Sequence, residues 1–256
     1  MMKMLSLIVL LCTSGLVSAQ EAKTNSDAPP PPFKAVSQPD APARVVSAAL
    51  KWALPDDRRG VEVYVVVVNA SQKAIRTYTT RRQSSNDGAK GCLGPPRLSS
   101  NGLLPGEKAG TSTWQRAPDA NSPATVWVDF VEFTDGTRWG VDECQTGEWL
   151  DGSDAGARAQ RDQLLKILRE EGAATVKTFI YSNYHKRIDE DAWKRSERPL
   201  LPIWPPTGHS PRWDDGFTSG ARSLVERVIE AERKWGPDEI EHELSRPIGP
   251  TEKKAP

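Results

Sequence analysis

Carboxylates are the commonest groups in this sequence that could do chemistry. Glu170-Glu171, Asp189-Glu190-Asp191 and Asp214-Asp215 place them side by side. Two carboxylates facing each other across a cleft can hydrolyse a glycosidic bond, one donating a proton while the other attacks or activates water. Adjacency in sequence does not supply that geometry, because consecutive residues on a helix point apart. Such runs read instead as solvated helix faces. His185, His209 and His242 are scattered and polar-flanked, with no HExxH spacing, so no metal or general-base role is assigned to them. No G-x-S-x-G, phosphate-binding loop or G-x-G-x-x-G occurs, and no cofactor is expected.

The tryptophans are the second chemical resource. There are nine of them. Exposed indole rings stack on sugars, so Trp114, Trp127, Trp139 and Trp149, with Arg138, form a possible binding surface. The same rings could instead wedge a helical part against a sheet, with each N–H satisfied at an edge. Trp139 lies in Phe133-Thr-Asp-Gly-Thr-Arg-Trp139-Gly140, which looks like a site and reads better as a turn. Asp-Gly between two β runs is the strongest short hairpin signal. A two-residue type I′ turn at Asp135-Gly136 sets Thr134 opposite Thr137, Phe133 opposite Arg138 and Glu132 opposite Trp139. Arg138 then lies over Phe133 as a cation–π contact. The same register brings Asp129 near Asp142, a like-charge pair that a divalent ion could relieve or that splaying of the hairpin would avoid. Splaying is the expectation.

The reactive thiols point to a compartment. MMKMLSLIVLLCTSGLVSA has a basic start, a short apolar run and a small-residue cleavage site, the pattern of a secretory signal over residues 1–19. That run is too short to span a membrane, which needs about 20 apolar residues, and no later segment is long and apolar enough. Removing residues 1–19 takes Lys3, Cys12 and every Met, leaving 33 basic against 34 acidic residues. Such a balance draws in neither nucleic acid nor anionic membrane. Cys92 and Cys144 remain, and in an oxidising compartment they pair most simply with each other. The chain is therefore expected to be secreted or periplasmic.

These groups need elements to position them. Residues 20–42 are Pro-rich and polar and read as a linker, with polyproline character at Pro29–Pro32. RVVSAALKWAL, VEVYVVVVNAS, AIRTYTT, KAGTSTWQ, TVWVDFVEF and TRWGVDE read as strands separated by turn signals. Val61–Val68 is apolar on both faces, as in a strand covered on both sides. Asn69-Ala-Ser71 is a formal glycosylation sequon in the turn that follows. Residues 81–101 form a long Gly/Ser/Pro loop that Cys92 would tie down. After Gly152 the period becomes helical: Leu164, Leu165, Ile167 and Leu168 share a stripe ended by Gly172. AATVKTFIYSNYHKRIDEDAWKR continues as helix. RPLLPIWPPTG cannot be helical. SGARSLVERVIEAERKWG is amphipathic, with Ser219 as a cap candidate. A short helix follows at PDEIEHEL.

Val63–Ile75, Leu104-Pro105-Gly106 and Val131–Gly140 carry the pattern V-x-V-x-V-x-N-x-S-x-K-x-I, L-x-PG, V-x-F-x-DG-x-x-WG. It resembles secreted bacterial proteins with an immunoglobulin-like domain, and its first two parts are similar to FxLYD-type sandwich modules. The resemblance covers residues 44–145. It implies a fold and export, and carries no catalytic residues.

The fold class expected is α+β: an immunoglobulin-like antiparallel β-sandwich over 43–150, then a helical region over 151–245 and a polar tail over 246–256. The function expected is an exported, non-catalytic binding or structural protein whose partner is an unidentified protein or glycan. Carbohydrate binding through exposed tryptophans is the alternative, and a carboxylate-based hydrolase the second.

Overall fold

A computed structural model describes residues 33–36, 38–52, 60–84, 88, 90–94, 98, 102–116, 124–184 and 203–250. The signal segment, Pro29–Pro32, His185, Asp189-Glu190-Asp191 and residues 251–256 fall outside them, as does the Trp114 side chain. The chain is mixed α+β, with two sheets and four helices among the described residues.

Eight strands come first: β1 (Phe33–Ala35), β2 (Ala43–Trp52), β3 (Gly60–Asn69), β4 (Ile75–Ser84), β5 (Lys90–Leu93), β6 (Lys108–Arg116), β7 (Ala124–Phe133) and β8 (Arg138–Gly140). One sheet has the order β1-β7-β4-β5, with β8 also on β7; the other has the order β2-β3-β6. β1 pairs parallel with β7, in a stretch whose composition reads as linker. All other described pairings are antiparallel.

The two sheets share one apolar core. Val63, Val65 and Val67 of β3 meet Ile75 and Tyr78 of β4 and Val126, Val128 and Val131 of β7. Complete burial of a Val or Ile side chain is worth about 1.5–3 kcal/mol relative to exposure, so this run of β-branched residues dominates the packing. The alternate β3 residues Tyr64, Val66 and Val68 are only half-buried, so the strand is covered less on its second face than its composition implies. The Tyr78 hydroxyl donates to the Ala109 carbonyl at 3.1 Å, linking one sheet to the other, and burial raises its pKa.

The helices follow: α1 (Thr146–Glu171), α2 (Ala173–Tyr184), α3 (Pro211–Trp235) and α4 (Glu239–Ser245). Leu164, Ile167, Val176, Ile180, Leu224, Val225, Val228, Ile240 and Leu244 form their own apolar cluster. α3 begins earlier than its apolar period suggests. Ser210 is the N-cap, its side chain accepting from Trp213 N at 3.2 Å, and Pro211 occupies the first turn; Ser219 is therefore interior.

α1 and α3 cross at glycines. Gly152 and Gly156 of α1 face the backbone of Trp213 and Phe217; Gly216 and Gly220 of α3 face that of Trp149 and Ser153. A Cβ at any of the four would fall well inside contact with a carbonyl oxygen of the other helix. The contact pairs rise together along both chains, so the helices run parallel, backbone against backbone.

Candidate functional site

The face of the larger sheet that turns away from the apolar core is polar, and α1 lies on it. Thr79 of β4 meets Thr146 at the start of α1, oxygen to oxygen at 2.9 Å. Glu132 of β7 is completely buried. Its Oε1 accepts from Arg76 Nη1 at 2.5 Å and its Oε2 from Arg138 Nε at 2.8 Å. Arg76 Nη2 also donates to Asp154 Oδ1 at 2.5 Å, and Arg138 Nη2 to Asp151 Oδ1 at 2.5 Å. Five charges thus alternate from Asp154 through Arg76, Glu132 and Arg138 to Asp151, tying three strands to α1. The carboxylates on Arg138 hold its pKa above the ordinary range despite partial burial, with Asp151 the larger influence. Buried charges persist only when paired and hydrogen-bonded, and here each guanidinium bridges two carboxylates.

This arrangement depends on the hairpin register, which differs from the two-residue turn. Phe133 N donates to Thr137 O at 2.9 Å and Gly136 N to Phe133 O at 3.0 Å. The loop therefore has three residues, with only Gly136 left-handed, at φ 82°. That is a type I turn closed by a glycine bulge. The pairing becomes Glu132 with Arg138 and Val131 with Trp139. One residue of slip turns every side chain over: Arg138 joins the charged face and Trp139 the inter-sheet core. Arg138 lies over Phe130 rather than Phe133, which has Lys73 over it. Asp135 takes Lys73 Nζ at 2.8 Å and Thr137 Oγ1 at 2.6 Å, both of which hold its pKa well below the usual range.

Asp129 and Asp142 do meet: Asp142 N donates to Asp129 O at 3.4 Å. No ion is needed, because backbone amides serve both carboxylates. Asp142, itself left-handed at φ 57°, accepts from Thr146 N at 2.6 Å and Gly147 N at 2.8 Å and so caps α1. A carboxylate there also suits the positive end of the helix. Asp129 accepts from Cys144 N at 3.0 Å; burial pushes its pKa up, against the pull of that bond and of Arg81.

Cys144 is bonded to Cys92 (S–S 2.02 Å), so the disulfide anchors β5 to the entrance of α1. Arg81 is paired with Glu143 and stands over the Trp127 ring at 5.9 Å. Trp127 and Trp139 therefore lie on opposite faces of the sheet, and Trp149, on α1, adjoins Gly216; all three are half-buried. The structure does not bring Trp127 and Trp139 onto one surface. The Asn69 amide is used internally, donating to Lys73 O and Leu103 O at 2.8 and 2.7 Å.

Beside the charged joint lies a cavity of about 650 Å³. Arg76, Asp154 and Ala157 line it from the sheet and α1, and Gly220, Ser223 and Arg227 from α3. Residues 246–250, which read as polar tail, form a further wall of this half-open cavity: Ile248 packs on the helical cluster, and Pro250 reaches the Gly136 turn. Glu243 of α4, nearly buried, receives Arg227 Nε at 2.9 Å and Arg246 Nη1 at 2.8 Å. Of the joint and the cavity wall, the sequence marks Arg138 as a candidate binding residue and Glu132 as a hairpin partner. The available signals were two charged residues, Arg76 and Glu132, inside β-branched strands, and Asp151 and Asp154 three apart on one helix face.

No family model, curated protein or solved structure matches the chain.

Proposed function

We propose that this is an exported, non-catalytic binding protein whose ligand site is the cavity between the β half and the C-terminal helices. In this reading the two sheets are an immunoglobulin-like sandwich, which their shared core and hairpin-linked strands support. The Cys92–Cys144 bond supports an oxidising location. No described helix is long and apolar enough to cross a membrane.

The observation that carries the reading is the cavity. Its volume falls in the range of small-molecule pockets, and it lies at the junction of two structural units, where such pockets are common. The non-catalytic part rests on how the nearby carboxylates are used. Of the two carboxylates in the cavity wall, Asp154 accepts from Arg76, and Glu243 accepts from both Arg227 and Arg246. Each is engaged by a guanidinium group rather than held free as an acid or base.

The test is a thermal-shift panel on the full chain with small carboxylates, phosphates, amines and neutral sugars, repeated on Ser223→Trp, which fills the cavity. The reading expects at least one class to raise Tm in the parent and not in the variant. A shift that survives the filling puts the site elsewhere; no shift with any class removes the reading.

A further inference from the structure

The charges in the cavity wall narrow the ligand class. Arg76 has its charge matched by two carboxylates, Glu132 and Asp154. Arg227 and Arg246 are different, since together they share one carboxylate, Glu243. Arg227 uses Nε and Arg246 uses Nη1; these are their bonds among the described residues. Their side chains are 47% and 57% exposed, whereas that of Glu243 is 7% exposed. Two guanidinium groups on one carboxylate leave one positive charge in excess, with N–H donors still available. Guanidinium forks match the planar oxygens of a second carboxylate, which they can bind in pairs. The rest of the wall is apolar at Leu98, Ala157, Ile248 and Pro250.

Resting on the cavity reading above, we propose that the cavity takes a small organic monoanion. Its carboxylate head is held by Arg227 and Arg246, and its apolar body lies against Leu98, Ile248 and Pro250. Glu243 has a positioning role: it holds both guanidinium groups at the same wall and leaves their outer edges for the ligand. The head supplies the missing negative charge, and the body supplies burial worth about 0.8 kcal/mol per methylene.

The experiment is isothermal titration of the full chain with straight-chain carboxylates from acetate to octanoate, with the matching primary alcohols and with inorganic phosphate. Affinity is expected to climb with chain length until the cavity is full. Each carboxylate is expected to bind at least tenfold more tightly than its alcohol. Added salt should weaken the acids and not the alcohols. The double variant R227Q/R246Q should lose at least tenfold for carboxylates while keeping its alcohol affinities. That retention also shows that the variant is folded with its cavity intact.

The outcomes separate the two claims. Equal affinity for acids and alcohols, or acids unaffected by the double substitution, overturns the anion assignment and leaves the cavity reading standing. Phosphate binding as tightly as octanoate overturns the apolar-body part and leaves an anion site. Failure of every probe to bind overturns the anion assignment, and the thermal-shift panel with amines and sugars then decides the cavity reading.

Discussion

Glu132 is the residue on which the joint turns. Removing its charge leaves Arg76 and Arg138, whose side chains are 25% and 37% exposed, with one carboxylate apiece, and breaking a pair from its buried side costs up to about 3–5 kcal/mol. Glu132→Gln should therefore lower unfolding stability by roughly that amount in urea titrations, far more than the exposed Asp151→Asn. Asp129 shows the opposite sign. Burial raises its folded pKa, so the fold favours the protonated acid. That contribution is fully present below the ordinary Asp range and is lost as pH rises through the raised pKa. Asp129→Asn keeps an oxygen for Cys144 N and removes the buried charge. Thermal melts should find it at least as stable as the parent at pH 7, with the advantage shrinking by pH 4. A deficit that grows with pH would contradict this. Glu232 behaves conventionally: Lys177 and Tyr181 hold its pKa down, so the α2–α3 contact weakens as pH falls through the carboxylate range.

At the scale of elements, the α1–α3 crossing should be the least forgiving contact. Gly156→Ala or Gly216→Ala puts a methyl group into the opposite backbone, and the helices must part. Overpacking of this kind costs about 1–3 kcal/mol or more, visible in denaturant melts followed by circular dichroism. Gly172→Ala is strained by its φ of 84° instead, with open space around it, and so tests backbone conformation separately from packing. The glycine spacing is plain in the sequence, yet spacing does not say which glycines meet another backbone and which merely end a helix. β2, β3, β6, β7 and β8 are legible because β-branched runs and turn residues alternate, whereas β1 lies in the stretch that reads as linker, and the end of β4 and all of β5 in residues 81–101, which read as a Gly/Ser/Pro loop. The Asp135-Gly136 turn was legible as a turn. Its length was not, since Asp-Gly serves both a two-residue and a three-residue loop, and that single residue decides whether Arg138 or Trp139 faces Glu132. Arg227, Glu243 and Arg246 were illegible as a group because Glu243 meets Arg227 only when α4 folds back on α3.

For the whole molecule, the disulfide links the β half to the helical half. Opening the Cys92–Cys144 loop, 52 residues in separation, should cost about 4 kcal/mol on the chain-entropy account. Cys92→Ser/Cys144→Ser, or parent protein under reductant, should show that loss in guanidinium titrations. Pairing of the two cysteines was deducible from their number alone once an exported location is granted. The cavity was not, because it belongs to no one element: its wall draws on β4, α1, α3, α4 and the segment after them.

That segment, Pro247–Pro250, has a consequence for the order of events during synthesis. The Gly136 turn against which it closes leaves the ribosome long before it does. The sheets and the first helix can form while the charged joint still has an open side. A chain interrupted after α4 would therefore be largely folded yet leave Asp154 and Arg76 open to water, and proteases would find such a chain easier to cut near the Asp135-Gly136 turn than a finished one.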